Sequence, residues 1–408
     1  MSKNIISYKE TEKPDLLLYT LLVIFKVNYT TMKIFTALLA LVLLVPACEE
    51  KDNPTDPRID SIAGELPLLH GDNKIGTIRG FNPSNPPATQ DSMAASWNEA
   101  IDAGMSVCRL QIDWPELEPS ANTFDQDRFE QRLKEVKNQG LQPFLLVSAY
   151  DSGGPVVPED LLGKNFDDPE FIQRFKNLMD WVIPLLVEYD GFLISISNEA
   201  DNSFGEIPDL HNEILIFLRE VKEHIHQINE NMAVTVTIAE GSLDENKPGI
   251  DDILALCDVA CFNFYGAKSQ FTSTLYYVAQ TESEIKSDIR RMLDISGEKN
   301  IVIQELGMYS GNTTLNSSEE IQRKFFEIFF SEMKSEERIK AAFNFQLVDW
   351  SPEVTEIFAQ SLEEEGLPQD FIDQFSESLE TIGLIKYEDG MRKEAWNEFL
   401  YWLTVMEQ

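Results

Sequence analysis

The chain has 408 residues, 43% hydrophobic and 25% charged, which is the composition of a folded protein with a sizeable core. Its 70 acidic and 33 basic residues leave a formal net charge of −37. So acidic a surface repels phosphate backbones and anionic headgroups, which excludes nucleic acid and a membrane face as partners.

Residues 1–31 precede a second methionine and carry one apolar patch, LLLYTLLVIF, too short to span a bilayer. We read them as an upstream extension or a misassigned start. Residues 32–47 combine a Met-Lys start, an apolar run and a small-residue end, the parts of a secretory signal. Val45-Pro46-Ala47-Cys48 resembles the lipobox of bacterial lipoproteins. That resemblance implies lipidation of Cys48 and a place in the cell envelope, anchored to a bacterial membrane and facing periplasm or cell surface. From 48 to 73 the chain is acidic and contains prolines, which predicts a flexible tether. Within it, SIAGELPLLHGDN shows no clear period.

From Lys74 to the end at 408 we expect one catalytic domain. Eight β-branched or aromatic runs follow one another: 75–83, 107–114, 142–150, 192–200, 233–241, 258–266, 300–308 and 341–350. Between them lie amphipathic stretches. FDQDRFEQRLKEVKNQG ends on a glycine suited to a C-cap, and PEFIQRFKNLMDWVIPLLVEYD opens on a proline suited to the first helical turn. Eightfold strand–helix alternation predicts an α/β fold, a (β/α)8 TIM barrel. The position after the first strand reads RGFNPSNPP, without the glycine fingerprint of an open dinucleotide-binding sheet. The acidic run 351–380 reads as a helical excursion from the barrel's working end. Cys257 and Cys261 read as buried thiols rather than a metal or disulfide pair.

In such barrels the active site forms at the C-terminal strand ends. The residues there are Arg109, Asp113 and Trp114 from strand two, Tyr150 from strand three, and Asn198 and Glu199 from strand four. Strand six adds Asn263 and Tyr265, strand seven Gln304 and Glu305, and strand eight Gln346, Asp349 and Trp350. Two carboxylates on one rim suit glycosidic bond cleavage, in which one protonates the leaving oxygen and the other attacks the anomeric carbon. Arg109 and Tyr265 are suited to keep a nucleophile ionised, and Trp350 to face a sugar ring. Tyr150, Asn263 and Gln304 are candidate sugar contacts, whereas Asp113, Trp114 and Glu118 are read as structuring their loop.

ISNEA and IVIQELG, with Arg109, the NFYG of strand six, Trp350 and DWPELEPSANTFD, together resemble the clan A glycoside hydrolases. The resemblance spans about residues 74 to 405. It implies a retaining enzyme on a (β/α)8 barrel that cleaves β-linked oligo- or polysaccharide. Glu199 is then the acid/base, Asn198 the contact to the sugar 2-hydroxyl, and Glu305 the nucleophile. The carboxyl groups are then expected about 5–5.5 Å apart. Ala200 and Asp201 stand where many relatives continue with proline, and no histidine falls on a strand end. His224 and His226, two apart on a helix, diverge and share no metal. No motif calls for a metal or organic cofactor. The expected partner is a carbohydrate, met by a monomer. The competing expectation is an inactive carbohydrate-binding lipoprotein on the same barrel.

Overall fold

The computed structural model describes residues 66–245, 247–271, 275–364 and 366–407. Cys48, the expected signal and most of the expected tether lie outside the described residues.

Eight parallel strands form the centre: β1 (Lys74–Thr77), β2 (Val107–Gln111), β3 (Gln142–Leu146), β4 (Leu193–Asn198), β5 (Ala233–Ala239), β6 (Ala260–Tyr265), β7 (Ile301–Gly307) and β8 (Ile339–Asn344). Neighbours pair in chain order and β8 pairs with β1, so the sheet closes without a free edge. The architecture is the (β/α)8 barrel, and each strand falls within or beside one of the eight expected runs.

Period-two alternation explains why each run forms a barrel strand. In β6, Phe262 and Phe264 pack into the layer between strands and helices, while Cys261 faces the barrel interior. The lower interior is filled by Val107, Phe144, Leu193, Val302 and Phe343. Leu66 is buried among them and Leu68 and Leu69 pack against them, so the folded part begins before β1. A Cβ on Gly76 would lie 2.6 Å from the Val107 carbonyl oxygen and 2.8 Å from the Phe343 ring, so only glycine fits between these strands.

The outer layer comprises α1 (Pro87–Asp102), α2 (Gln126–Asn138), α3 (Pro169–Glu188), α4 (Leu210–Ile228), α5 (Ile250–Leu256), α6 (Glu282–Ile295) and α7 (Glu319–Ser335). Two further helices, α8 (Pro352–Glu364) and α9 (Gln369–Glu380), follow β8 before the closing helix α10 (Glu394–Met406). Helix α3 starts where its sequence says it should. Asp168 accepts the N–H groups of Glu170 and Phe171, and Pro169 occupies the first turn, where no N–H is needed. It then buries Phe171, Phe175, Leu178, Val182 and Leu186, each worth about 1.5–3 kcal/mol.

The loop after β2 is organised by buried charge. Trp114 Nε1 donates to Glu118 at 2.7 Å, Arg174 of α3 donates from Nε to the same carboxylate at 2.9 Å, and Phe171 and Phe175 pack edge-on against the indole. Cys108, Cys257 and Cys261 are free and buried. His224 and His226 bond to different carboxylates, Asp180 and Asp258. Among the described residues, no helix is long and apolar enough to cross a membrane.

Candidate active site

Strand β2 and its extension read Arg109-Leu110-Gln111-Ile112-Asp113. Leu110 and Ile112 go into the helix layer, which turns the alternate polar residues inward. Arg109, only 4% exposed, has Nη1 2.9 Å from Oε1 of Glu305 and donates from Nη2 to Gln111 at 2.6 Å. The Tyr265 hydroxyl donates to the other Glu305 oxygen. The register of β7 against β6 shifts between Ile303 and Glu305. Such a bulge lets the consecutive residues Gln304 and Glu305 both turn inward.

Glu199 follows the last residue of β4 with φ 51° and ψ 32°, a left-handed conformation that opens the short helical turn Ala200–Ser203. That geometry costs a residue with a Cβ about 1–2 kcal/mol, so its surroundings must hold it. The Glu199 N–H donates to the Thr237 carbonyl at 2.8 Å. Its Oε1 accepts from Asn263 at 2.8 Å, and its Oε2 accepts from Asn202 at 3.2 Å and Ser152 at 3.3 Å. Asp201, fully buried, accepts the Ala239 N–H and so ties this turn to the end of β5. This gives the departure from the commoner Asn-Glu-Pro pattern a structural purpose.

Beneath the carboxyls runs a buried amide network. Asn198 Oδ1 accepts from Gln304 at 2.7 Å and from Asn263 at 3.1 Å, while its Nδ2 donates to Asp151 at 2.8 Å. Gln304 Oε1 in turn accepts the Thr237 hydroxyl at 2.7 Å.

The two carboxyls differ in what surrounds them. Burial pushes Glu199 up to about 8, reinforced by the Glu305 charge, and its hydrogen-bond donors are neutral. Burial raises Glu305 too, but the Arg109 guanidinium and the Tyr265 hydroxyl oppose that rise by favouring its ionised form. These surroundings favour the proton on Glu199 and the negative charge on Glu305. Burial and the Glu305 charge hold Tyr265 well above its ordinary range, so it remains a donor. Burial and neighbouring Asp151 raise Asp113 to about 7, so this rim carboxyl too holds its proton more firmly than a free one.

The structure brings Arg109, Asn198, Glu199, Asn263, Tyr265, Gln304 and Glu305 into one connected cluster. It changes the parts played by several. Asn263 and Gln304, expected as sugar contacts, are buried and spend their amides on Asn198, Glu199 and Thr237, so they position rather than bind. Tyr150 is not in the cluster. Its ring is buried against Phe166 in the strand–helix layer and its hydroxyl donates to Ser203 at 2.7 Å. The next residue, Asp151, takes the inward place, because the consecutive residues Ala149 and Tyr150 both turn into the helix layer before Asp151 pairs opposite Asn198. Trp350 is half-buried on the rim, packed with Phe81 at 5.6 Å and Phe358 at 5.4 Å, and Phe345 links it to Tyr265.

The sequence reading passed over Gln111, Asp151, Ser152, Thr237 and Asn202, and named Asp201 only as a departure from the common motif. For Gln111 and Thr237 a signal existed, since both are polar positions alternating with apolar ones in barrel strands. Among the described residues, no group of His, Cys, Asp and Glu is arranged to hold a metal ion.

No family model matches the sequence, and neither does any curated protein. Solved structures match in fold. A GH5_18 glycoside hydrolase from Bifidobacterium longum subsp. longum, solved as a glutamate-to-alanine variant in complex with Manb1-4GlcNAc, gives a TM-score of 0.60 at 14% identity, over 82% of this chain and 78% of that one. The exo-beta-1,4-mannosidase Op5Man5 from Opitutaceae bacterium strain TAV5 gives 0.57 at 14% identity, over 81% of this chain and 59% of its own. A beta-glucosidase gives 0.54 at 13% identity, over 80% and 90%. At these identities the likeness establishes the fold, the same barrel that these glycosidases use.

Proposed function

We propose that the chain is a retaining glycoside hydrolase that cleaves β-linked oligo- or polysaccharide by double displacement, acting as a monomer. The observation that carries this reading is the unequal environment of two carboxyls on one barrel rim: Glu199 among neutral donors and Glu305 between Arg109 and Tyr265. The fold shared with a mannosidase and a glucosidase supports it.

In this reading Glu305 attacks the anomeric carbon while Glu199 gives its proton to the glycosidic oxygen, and the freed alcohol departs. The product of this step is a glycosyl ester on Glu305. Esterification removes the charge that helped to keep Glu199 protonated, so Glu199, now ionised, takes a proton from water as that water attacks the ester. The Tyr265 and Arg109 donors stabilise Glu305 as it leaves, and the cycle closes with both carboxyls restored.

The test is Glu305→Ala on an aryl β-glycoside. Activity is expected to fall about 10⁴-fold or more. Azide should restore turnover by entering the vacated face, giving the α-glycosyl azide. A variant with near wild-type turnover would overturn the assignment.

On the sequence of residues 32–48, we also propose a lipid anchor on Cys48 and a location in the bacterial cell envelope. Cys48→Ala, expressed in a bacterial host, should then shift from the detergent phase to the aqueous phase on phase partition. Unchanged partition would rule the anchor out.

A further inference from the structure

The turn after β3 brings a third carboxyl up to Glu199. Tyr150–Asp151 pairs antiparallel with Gly154–Pro155, and Asp151 stands opposite Asn198 of β4. Ser152, exposed at the tip of this turn, gives its N–H to the Asn198 carbonyl at 2.9 Å and has φ 44°. Glu199, on the other side, has φ 51°. Two residues with a Cβ thus hold left-handed backbones about one contact, a conformation kept where placement matters.

That contact is the Ser152 hydroxyl, 3.0 Å from Oδ1 of Asp151 and 3.3 Å from Oε2 of Glu199. A hydroxyl has one proton, so it donates to only one of these oxygens at a time. The neighbours of Asp151 decide between them. Arg109 can only donate, so Gln111 meets it with Oε1 and turns Nε2 towards Oδ2 of Asp151, 3.4 Å away. Asn198 receives Gln304 and Asn263 on its Oδ1 and so presents Nδ2 to Asp151 at 2.8 Å. Each of these partners of Asp151 is a donor, which suits the ionised form. Burial raises the Asp151 carboxyl, while Asn198, Ser152 and the Arg109 charge oppose the rise. While Glu199 is protonated, the Ser152 proton therefore goes to Asp151 and the Glu199 proton to the Ser152 oxygen.

We propose that Asp151, acting through Ser152, is a positioning residue that holds the proton of Glu199 on Oε2 until the leaving oxygen takes it. The inference rests on the glycosidase reading above. Once Glu199 has given that proton to the glycosidic oxygen, the Ser152 hydroxyl turns its own proton from Asp151 to the newly charged Oε2. Asp151 meanwhile keeps its Asn198 and Gln111 donors. When Glu199 takes a proton from water, the hydroxyl turns back. Ser152 changes partner and keeps its proton throughout.

The other charged or titratable groups about this pair are Glu305 of β7, Tyr265 of β6, Asp201 of the Glu199 turn with Lys247 beside it, and Arg109 and Asp113 of β2 and its extension. The Asp151 charge acts through space on Glu305 as well as on Glu199, so field alone moves both limbs of a pH profile. The hydroxyl link reaches Glu199 only.

The experiment follows kcat/KM against pH on aryl β-glycosides of mannose, glucose, galactose and xylose. It compares the wild type with Asp151→Asn, Ser152→Ala and the double variant. A limb's midpoint does not depend on how much of a variant is folded. Asp151→Asn is expected to move both limbs to lower pH, the alkaline one by about one unit. In the Ser152→Ala background the acid limb should still move in full, and the alkaline limb by about half as far or less. An alkaline limb that Asp151→Asn leaves in place or raises, or that moves equally in both backgrounds, would overturn the inference and leave the glycosidase reading intact. No turnover of any of these glycosides by the wild type would overturn both.

Discussion

Glu199 holds a backbone conformation that glycine adopts freely, and it does so with a carboxyl buried among neutral donors. Such strain is kept where geometry matters more than stability. Replacing the residue by glycine relieves that strain of about 1–2 kcal/mol, against about 0.5–1 kcal/mol of added unfolded-state entropy. Glu199→Gly is therefore expected to be more stable than the wild type by about 1 kcal/mol in urea denaturation, though inactive. A less stable variant would mean that the carboxyl's hydrogen bonds outweigh the strain. The same residue sets the alkaline limb of activity. As pH rises through about 8, Glu199 loses the proton it must donate, and kcat/KM should fall. As pH falls, Glu305 gains a proton and loses its nucleophilicity, above the ordinary carboxylate range because burial raises it. On an aryl glycoside whose leaving group needs no proton, Glu199→Gln should lose the alkaline limb of kcat/KM and keep the acid one. A persistent alkaline limb would assign it to another group.

Elements were legible to different depths. The eight strands could be read because barrel strands alternate an outward apolar residue with an inward one, and β-branched and aromatic residues suit both positions. Their ends were harder. Tyr150 was taken for the rim residue that ends strand three, but Ala149 and Tyr150 both turn into the helix layer, which sends Asp151 inward. Depth was also hidden. Asn263 and Gln304 look in sequence like any polar residue at a strand end, and only the closed barrel puts them beneath the carboxyls. The expected role of Trp114 and Glu118 in ordering their loop agrees with the contacts to Arg174. This contact supports a test at the scale of the element. Arg174→Met leaves the buried Glu118 carboxylate without its cation and should cost about 3–5 kcal/mol in chemical denaturation. Adding Glu118→Gln should recover part of that loss. A single variant within 1 kcal/mol of wild type would show that the pair is not needed (on the order of error for such measurements).

Over the whole molecule, acidity acts on stability as well as on partners. Burial takes Glu199 from 4.5 to about 8, and Asp113 and Asp201 from 3.8 to about 7. Each binds its proton more tightly folded than unfolded, so the native state holds more protons between about pH 4 and pH 8, and stability falls as pH rises through that window. The net charge of −37 adds self-repulsion once these groups ionise. The Tm at about pH 5 should accordingly exceed the Tm at about pH 8. A Tm that climbs over this range would mean that salt-bridged carboxylates dominate instead.

The sequence by itself determined the number and order of the strands, the helices between them and the two glutamates that meet on one rim, because periodicity and strand-end position are local properties of a chain. Tertiary structure alone decided the rest. Which neighbour keeps Glu199 protonated, and which polar groups support the carboxyls from beneath, depend on contacts between residues tens to hundreds of positions apart. Those contacts exist only once the barrel has closed, and no local pattern encodes them.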